Sequence, residues 1–300
     1  MVLQGDSRSQ EVLRRSNVRK LLTGKVLYAD TAACRNAGDA SVTATAYCAV
    51  WPETAGLMPE AQRLAAAMAL PVAAPDAPPA GFRLVVCASR LELYPTEGGQ
   101  LRGLQVAFAA DGVSARRYRQ VGAANEGLLR AIGARRGRRP GVIDATAGLG
   151  RDALLMAAAG CRVTMVERSP ILAAMLRHAL AHPAAEFRET IGRLSLHQGD
   201  ALECLPALPT AEVIYLDPMY AAVSRRARQA REMEILQRLL GTDRDPGALL
   251  ATALSAAGQR VVVKRPRKAD VTEGRAPDHR IEGRSTRFDV YLRKPADGAD

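Results

Sequence analysis

The sequence predicts an α/β protein whose larger part is a Rossmann-like, doubly wound and mostly parallel β-sheet, preceded by a small α/β domain. Two observations predict this fold class. From residue 141 almost to the end, short apolar strand segments alternate with helical segments, which is the pattern of a parallel sheet. Four successive strand segments lead into an acid, namely Asp144, Glu167, Asp200 and Asp217. Ligands of such sheets bind beyond the carboxyl ends of the strands, so these acids mark the candidate site.

Composition and hydrophobic periodicity divide the 300 residues into five segments. An extension of mixed charge, which we expect to be poorly structured or partly helical, precedes the small N-terminal α/β domain. A basic connector joins that domain to the larger one, and a short tail ends the chain. In order, these segments are 1–44, 45–110, 111–140, 141–295 and 296–300.

Local patterns predict the helices and strands within these segments. In the small domain and connector we expect strands at 45–50, 83–89, 90–94 and 104–109, and helices at 59–70 and 125–132. In the larger domain we expect strands at 142–143, 162–166, 194–197, 213–216, 260–263, 279–282 and 287–292. The helices expected between them are 151–159, 170–181, 201–205, 225–240 and 246–257.

The positive charge of the chain is unevenly distributed. The formal net charge is +11, and between residues 111 and 139 eight arginines stand against two acids. Further basic clusters occur at 225–231 and 260–268. This pattern favours a polyanionic partner, because contacts to phosphates supply most of the non-specific affinity for nucleic acids.

The sequence also disfavours several classes of protein. No apolar run approaches the roughly 20 residues of a membrane-spanning helix, and the N-terminus lacks a hydrophobic signal core, so we expect a soluble cytoplasmic protein. Five cysteines without C-x-x-C spacing predict buried free thiols rather than disulfides or zinc ligands. The only i, i+4 histidine pair, His178 and His182, precedes Pro183 at a predicted helix end, so no metal is expected.

The first acidic strand end opens a glycine-containing loop that runs into a helix. After Asp144, glycines at 148 and 150 allow the backbone to pass close beneath a ligand, and the helix that follows offers free N–H groups and a positive dipole end. A carboxylate or a phosphate suits this arrangement. A dinucleotide fingerprint would need a third glycine where the chain has Ala153, so a nicotinamide dehydrogenase is disfavoured.

The other strand ends fit the parts of a nucleoside and of a planar base. Glu167 stands where an acid that accepts from ribose hydroxyls belongs. Asp200 after Gly199 is placed either to contact an adenine amine or to cap the next helix. The sequence Asp217-Pro218-Met219-Tyr220 combines a carboxylate, a carbonyl and an aromatic ring, which together can hold a base that carries an amine.

Five motifs together resemble the bacterial ribosomal RNA small subunit methyltransferase J family. They are 144–152 (DATAGLGRD), 166–168 (VER), 215–220 (YLDPMY), 261–266 (VVVKRP) and 287–291 (RFDVY). The resemblance covers residues 45–293 and implies a class I, S-adenosylmethionine-dependent enzyme that methylates the N2 amine of a guanine in 16S ribosomal RNA. The chain departs from the family at 199–200, where we expect small hydroxyl residues.

The resemblance and the loop chemistry assign roles to individual residues. The cofactor-binding set is Asp144, Gly148, Gly150, Arg151, Asp152, Glu167, Arg168, Gly199, Asp200 and Asp217. The catalytic set is Asp217, Pro218 and Tyr220, in which the carboxylate and the proline carbonyl accept the amine hydrogens while the ring stacks on the base. The expected contacts to RNA, which must present an unstacked base, are Arg116, Arg117, Tyr118, Lys264 and Arg265.

Two other functions remain compatible with the sequence. A DNA or protein amine methyltransferase would use the same Asp-Pro-x-aromatic motif, because the motif suits any planar amine. A non-catalytic RNA-binding or ribosome-assembly factor could keep the fold as a platform, although the acids and the residues from Asp217 to Tyr220 are intact. Ribosomal RNA is the expected partner, no membrane or metal is expected, and a monomer is the favoured state.

Overall fold

The described residues form two β-sheets, one small and mixed, the other larger and mostly parallel. The computed structural model describes residues 48–73, 81–96, 103–106, 108, 126–218, 227–240, 245–269, 271 and 275–293. The predicted extension 1–44 and tail 296–300 lie outside the described residues.

Among the described residues, the smaller sheet has four strands and is accompanied by one α-helix. Its strands are β1 (Cys48–Pro52), β2 (Phe82–Val86), β3 (Leu91–Pro95) and β4 (Leu104–Gln105), and its helix is α1 (Met58–Met68). The strands follow this order across the sheet, with β1 parallel to β2 and the other pairs antiparallel. Strand β2 alternates between buried and half-buried residues, because successive side chains point to opposite faces.

The larger sheet has seven strands. They are β5 (Val142–Asp144), β6 (Val163–Glu167), β7 (Leu194–Gln198), β8 (Val213–Leu216), β9 (Arg260–Pro266), β10 (His279–Glu282) and β11 (Thr286–Leu292). Their order is β10-β11-β9-β8-β5-β6-β7, and strands β5 to β9 are parallel while β11 is antiparallel to both neighbours. The strand order reverses between β5 and β8, and ligands of doubly wound sheets bind at such a switch point.

Helices cover both faces of this sheet, as the sequence predicts. They are α2 (Glu126–Ala131), α3 (Arg151–Ala158), α4 (Pro170–Ala181), α5 (Arg188–Ile191), α6 (Ala201–Ala207), α7 (Ala227–Leu240) and α8 (Pro246–Ala256). Alternation along β8 separates two cores, since Val213 and Tyr215 pack on the side of α3 while Ile214 and Leu216 pack on the side of α6 and α8. The predicted α/β, doubly wound class is confirmed.

Most predicted boundaries agree with the structure to within three residues, and three local features differ. Strand β4 ends at Gln105, four residues before its predicted end. The single-turn helix α5 was not predicted, because four residues are too few for a helical period to be recognised. Helix α2, which the sequence places in the basic connector, packs into the core of the larger sheet through Leu128, Ala131 and Ile132. The division into domains otherwise stays a prediction.

The smaller sheet, together with α1, packs beside the carboxyl edge of the larger sheet. Its core includes Leu149 from the glycine loop, Ile171 and Met175 from α4, and Leu236 and Leu239 from α7. The loop that follows β5 is therefore held between the two parts of the molecule.

A test of this packing uses Gly150, which has a φ of 69°. A Cβ there would approach Leu176 Cδ2 and Phe108 Cζ to 2.8 Å each. We expect Gly150→Ala to lower the free energy of unfolding by about 2–4 kcal/mol, since it combines a left-handed backbone with overpacking. The matched control is Gly137→Ala, where φ is 78° but nothing lies within 4 Å.

We expect the control to lower the free energy of unfolding only by the backbone contribution, about 1–2 kcal/mol. Chemical denaturation of both variants measures the difference, and equal losses would show that the packing around Gly150 is not tight.

Candidate active site

The predicted site residues converge at the carboxyl edge of the larger sheet. Strands β6, β5, β8 and β9 are consecutive neighbours, so the residues at their ends lie side by side. Asp144 pairs in register with Met165 on one side and Tyr215 on the other. Glu167 and Asp217 therefore face the same edge, about 10 Å apart at two strand spacings.

Glu167 organises the glycine loop. Its carboxylate accepts the N–H of Gly148 at 2.8 Å and the N–H of Ser169 at 2.8 Å, and the residue is only 5% exposed. Gly148 has a φ of 53°, which a glycine adopts without strain and which turns its N–H toward the acid. Each carboxylate oxygen has two acceptor positions, so an oxygen that binds one N–H retains capacity for a hydroxyl.

Lys264 joins two of the acids. Its Nζ lies 2.7 Å from Asp152 Oδ2 and 2.7 Å from Asp217 Oδ2. The hydroxyl of Tyr215 donates to the same Asp152 oxygen at 2.6 Å. Thr146 Oγ1 accepts the backbone N–H of Asp217 at 2.6 Å, which ties the loop after β8 to the loop after β5.

The position of these groups follows from strand alternation and helix geometry. Tyr215 on β8 and Lys264 on β9 both point to the face covered by α3, and Asp152 lies in the first turn of that helix. An acid in the first turn is also favoured by the helix dipole. The lysine is thus the cation at the centre of a group of carboxylates.

Burial and like charge shift the protonation equilibria of this group. Burial raises the pKa of Asp144 well above its usual value, and the charges of Asp152 and Asp217 raise it further. Burial, with the same two acids, also raises the pKa of Tyr215. Burial would lower the pKa of Lys264, but Asp152 and Asp217 outweigh it and raise that pKa above its ordinary value.

The other predicted cofactor residues occupy positions around this centre. Arg151 is exposed and pairs with Glu232 of α7 at 2.8 Å, and Arg168 is half-buried after β6. Gly199 donates its N–H to the carbonyl of Glu167 at 3.0 Å. The Oδ1 of Asp200 accepts the N–H of Leu202 at 2.9 Å, which is the helix-capping alternative considered for this residue.

Two expectations for RNA contacts are corrected by the structure. Lys264 is engaged by two carboxylates within the site rather than presented to a polymer backbone. Arg265 is only 1% exposed, and its Nε pairs with Asp289 Oδ2 at 2.9 Å on the opposite face of the sheet. Adjacent residues of a strand point to opposite faces, so the two could not have acted together.

Other predicted residues lie outside the part of the chain that the structure describes. These are Arg116, Arg117, Tyr118 and Tyr220. Pro218 is described and is buried directly after Asp217. The roles assigned to all five stay predictions.

Two functional contacts were missed by the sequence reasoning. Thr146 was passed over because a threonine in a loop carries no signal of its own. The link from Tyr215 through Asp152 to Lys264 joins residues 63 and 112 positions apart in the chain. One signal in the sequence could have suggested this link. Lys264 follows an apolar run in a central strand, and the neighbouring strand leads into Asp217.

No metal-binding cluster and no membrane-spanning helix is found among the described residues. Among those residues, no group of three or more His, Cys, Asp or Glu side chains could hold a metal ion. No helix in the described ranges is long and apolar enough to cross a bilayer. The four described cysteines, at 48, 87, 161 and 204, are buried free thiols, as predicted.

The fold and this carboxyl-edge site define an S-adenosylmethionine-dependent methyltransferase. The sequence model of the SAM-dependent methyltransferase family matches residues 63–293. A crystal structure of a SAM-dependent methyltransferase from Neisseria gonorrhoeae is 33% identical, covers 83% of this chain and 97% of its own, and superposes with a TM-score of 0.64.

Curated relatives identify the family more closely. Several relatives are named ribosomal RNA small subunit methyltransferase J. The one from Thioalkalivibrio sulfidiphilus is 41% identical to this chain, over 79% of this chain and 94% of its own length. The relative from Coxiella burnetii is 40% identical over 83% of this chain and 98% of its own length. The relative from Pseudomonas aeruginosa is 38% identical over 80% of this chain and 93% of its own length. This chain belongs to the ribosomal RNA small subunit methyltransferase J family, and the resemblance seen in its motifs is confirmed.

The raised pKa of Asp144 predicts a pH dependence of stability. The folded protein retains a proton at Asp144 that the unfolded chain loses near pH 4, so this residue lowers the free energy of unfolding as pH rises from about 4 through its raised pKa. Asp144→Asn keeps the acceptor for Thr146 N–H without the charge. We expect the variant to gain stability relative to wild type between pH 5 and pH 8 in urea denaturation; a constant difference would contradict this.

The bridge made by Lys264 predicts a coupled effect on stability. Lys264→Met keeps the apolar stem but leaves two carboxylates without their cation, and we expect a loss of about 2 kcal/mol. Adding Asp217→Asn should recover part of that loss, because it removes one of the repelling charges. Denaturation of the two single variants and the double variant measures the coupling, and additive losses would show that no bridge forms in solution.

Proposed function

We propose that this protein transfers a methyl group from S-adenosylmethionine to the exocyclic N2 amine of a guanine in 16S ribosomal RNA. The observation that carries the proposal is the position of Asp217 and Pro218. They follow the central strand β8 at the switch point, next to the glycine loop and Glu167, with the carboxylate held by Lys264. The names of the curated relatives support ribosomal RNA of the small subunit as the substrate.

The residues at the carboxyl edge fit the cofactor. When bound, S-adenosylmethionine supplies an electrophilic methyl group on a positively charged sulfonium. At the centre of the site, the carboxylates of Asp152, Glu167 and Asp217 outnumber the ammonium group of Lys264, which favours a cationic ligand. Glu167, buried at the end of β6, has the acceptor capacity for ribose hydroxyls, and the N-terminus of α3 is oriented to receive a carboxylate.

Asp217 and Pro218 would activate the amine. The nitrogen lone pair of the guanine amine is delocalised into the ring, so the amine is a weak nucleophile until acceptors orient its hydrogens and draw the lone pair out of conjugation. The Asp217 carboxylate and the Pro218 carbonyl are the acceptors proposed for this task. Positioning of this kind supplies a large part of the rate enhancement of a displacement.

The transfer balances without a further reactant. The amine lone pair would form the bond to the methyl carbon that S-adenosylmethionine supplies, and the electrons of the carbon–sulfur bond would leave with the sulfur. The methylated nitrogen then loses one proton, which Asp217 accepts or passes to water. Lys264 keeps the carboxylate at its place during this step, and Thr146 fixes the backbone N–H beneath it.

The polymer must present the guanine outside a stacked helix. A base within a duplex cannot bring its amine to a carboxylate at a sheet edge, so a looped or flipped nucleotide is required. Tyr220 is proposed to stack on the base, and Arg116, Arg117 and Tyr118 to contact the RNA backbone. We propose that the enzyme acts as a monomer in the cytoplasm, where ribosomal RNA is processed.

The catalytic proposal is tested by changing the carboxylate. We expect Asp217→Ala to reduce kcat by about 100-fold or more, because both the acceptor and the proton sink are lost. The affinity for S-adenosylmethionine, measured by calorimetry, should fall by less than about 10-fold, since Glu167 and the glycine loop are unchanged. Turnover at the wild-type rate would refute the role of Asp217.

The substrate proposal needs a separate experiment. The gene is deleted, and guanine methylation is mapped across all ribosomal RNA, with the wild-type gene and the Asp217→Ala gene returned as complements. One N2-methylguanine in 16S RNA should disappear and return only with the wild-type gene. Transfer of labelled methyl groups to DNA or protein but not to RNA would assign the enzyme to the alternative substrate class.

A further inference from the structure

A basic surface lies at the amino edge of the sheet, opposite the site. It is formed by the turn before β5, the end of α2 and the turn before β6, and we call it the arginine edge. Its members are Arg130, Arg135, Arg136, Arg138, Arg139 and Arg162. Strands run from this edge to the carboxyl edge, and the five residues of β6 separate the two by about 13 Å at 3.3 Å per residue.

A well-ordered turn presents these arginines. Arg135 and Arg138 exchange backbone hydrogen bonds of 3.1 and 2.9 Å, and Gly137 between them has a φ of 78°. This is the geometry of a type II turn, in which glycine takes the third position. Arg136 therefore projects from the tip of a fixed turn rather than from a loose loop.

Two of the arginines anchor the turn to the body of the protein. Arg138 Nη2 donates to Glu212 at 2.8 Å and to Gln259 at 2.6 Å. Arg139 donates to the carbonyls of Arg135 and Arg138. Their side chains hold the turn in place.

The remaining arginines have no such role. Within the described residues, the guanidinium groups of Arg135 and Arg136 make no hydrogen bond or ion pair, and both side chains are exposed. Together with Arg139, they line a surface cavity of about 360 Å³ next to the C-terminal end of α3. The cavity has room for a group of the size of a phosphate.

The electrostatic environment of this surface is strongly positive. Glu212 is the one carboxylate in residues 130–141, 160–162, 209–213 and 257–260, all of which the structure describes. Burial lowers the pKa of the neighbouring Arg260, and the charges of Arg138 and Arg135 lower it further. Guanidinium groups that lie close together with so few carboxylates nearby are suited to bind phosphates, which arginine contacts with paired N–H donors.

We propose that the arginine edge is a second docking surface for ribosomal RNA, which contacts the phosphate backbone of a segment distant from the methylated guanine. The proposal rests on the proposed function, because a folded ribosomal RNA is a polyanion large enough to reach both edges of the sheet. Contacts to phosphates would orient the substrate without reading its sequence. The described residues of the carboxyl edge are rich in acids and contribute little attraction for RNA of their own.

The test compares two variants that each remove two exposed positive charges. Arg135→Gln with Arg136→Gln alters the arginine edge, and Arg63→Gln with Arg238→Gln alters exposed positions on α1 and α7. Binding of 16S RNA without proteins is measured over a series of salt concentrations. We expect the arginine-edge variant to bind about 10-fold more weakly near physiological salt, with a slope of log K against log salt smaller by about 1–2.

Kinetic measurements separate this effect from the chemistry. For the arginine-edge variant, KM for full-length 16S RNA should rise while kcat, and turnover of a short fragment carrying the target guanine, stay at the wild-type level. An unchanged melting temperature confirms that the variant is folded. Asp217→Ala should show the opposite pattern, with lost turnover and unchanged affinity for RNA.

Three outcomes would overturn the proposal or separate it from the proposed function. A loss of affinity no greater than that of the control variant overturns it. Unchanged affinity for protein-free RNA together with weaker binding to the assembled subunit assigns the surface to a ribosomal protein, and also overturns it. If wild type methylates no guanine but the arginine-edge variant still binds RNA more weakly, the docking surface stands and the proposed reaction fails.

Discussion

The ion pairs between Lys264 and the carboxylates of Asp152 and Asp217 hold the site together. They join β9, α3 and the loop after β8, three elements that the chain order keeps far apart. Without a cation at this point, the carboxylates of Asp152 and Asp217 would repel one another in a partly buried environment. The lysine thus permits a negatively charged site to exist within a stable sheet, and this charge is what a sulfonium ligand requires.

Strand alternation explains why one segment contributes to both the site and the core. On β9, Lys264 points to the face covered by α3, while Arg265 points to the other face and pairs with the buried Asp289. Arg287 on β11 also bonds to Asp289, at 2.9 Å, so a buried ionic cluster fixes the pairing of β9 with β11. Breaking such a cluster leaves an uncompensated buried charge, which is strongly destabilising.

The sequence was sufficient for the fold and for the edge at which the site lies. Periodicity identified the strands that the structure describes, because apolar runs bounded by acids and glycines are strong local signals, and parallel order then brought Asp144, Glu167 and Asp217 together. The partners of individual side chains could not be predicted. Whether Lys264 binds a phosphate or a carboxylate depends on the face of the sheet to which its side chain points and on which residues of the neighbouring elements lie opposite it.

Local chemistry also allowed two outcomes at Asp200, where the same carboxylate could cap a helix or contact an adenine. The structure shows the cap, which needs only the backbone of the next two residues, and the contact with adenine stays a prediction. A contact with a ligand depends on groups that no local pattern encodes. No local pattern predicts the contacts of Asp217, because its partners Lys264 and Thr146 are distant in the sequence.

The alternation on β9 has an evolutionary consequence. Inserting or deleting one residue in this strand would exchange Lys264 and Arg265 between the two faces, sending a guanidinium into the site and an ammonium into the interior. Neither exchange could be repaired by one further substitution, because each charge has its own set of carboxylates. The length of this strand is therefore constrained by function and by folding at once, and descendants of the protein should vary in its surrounding loops long before they vary there.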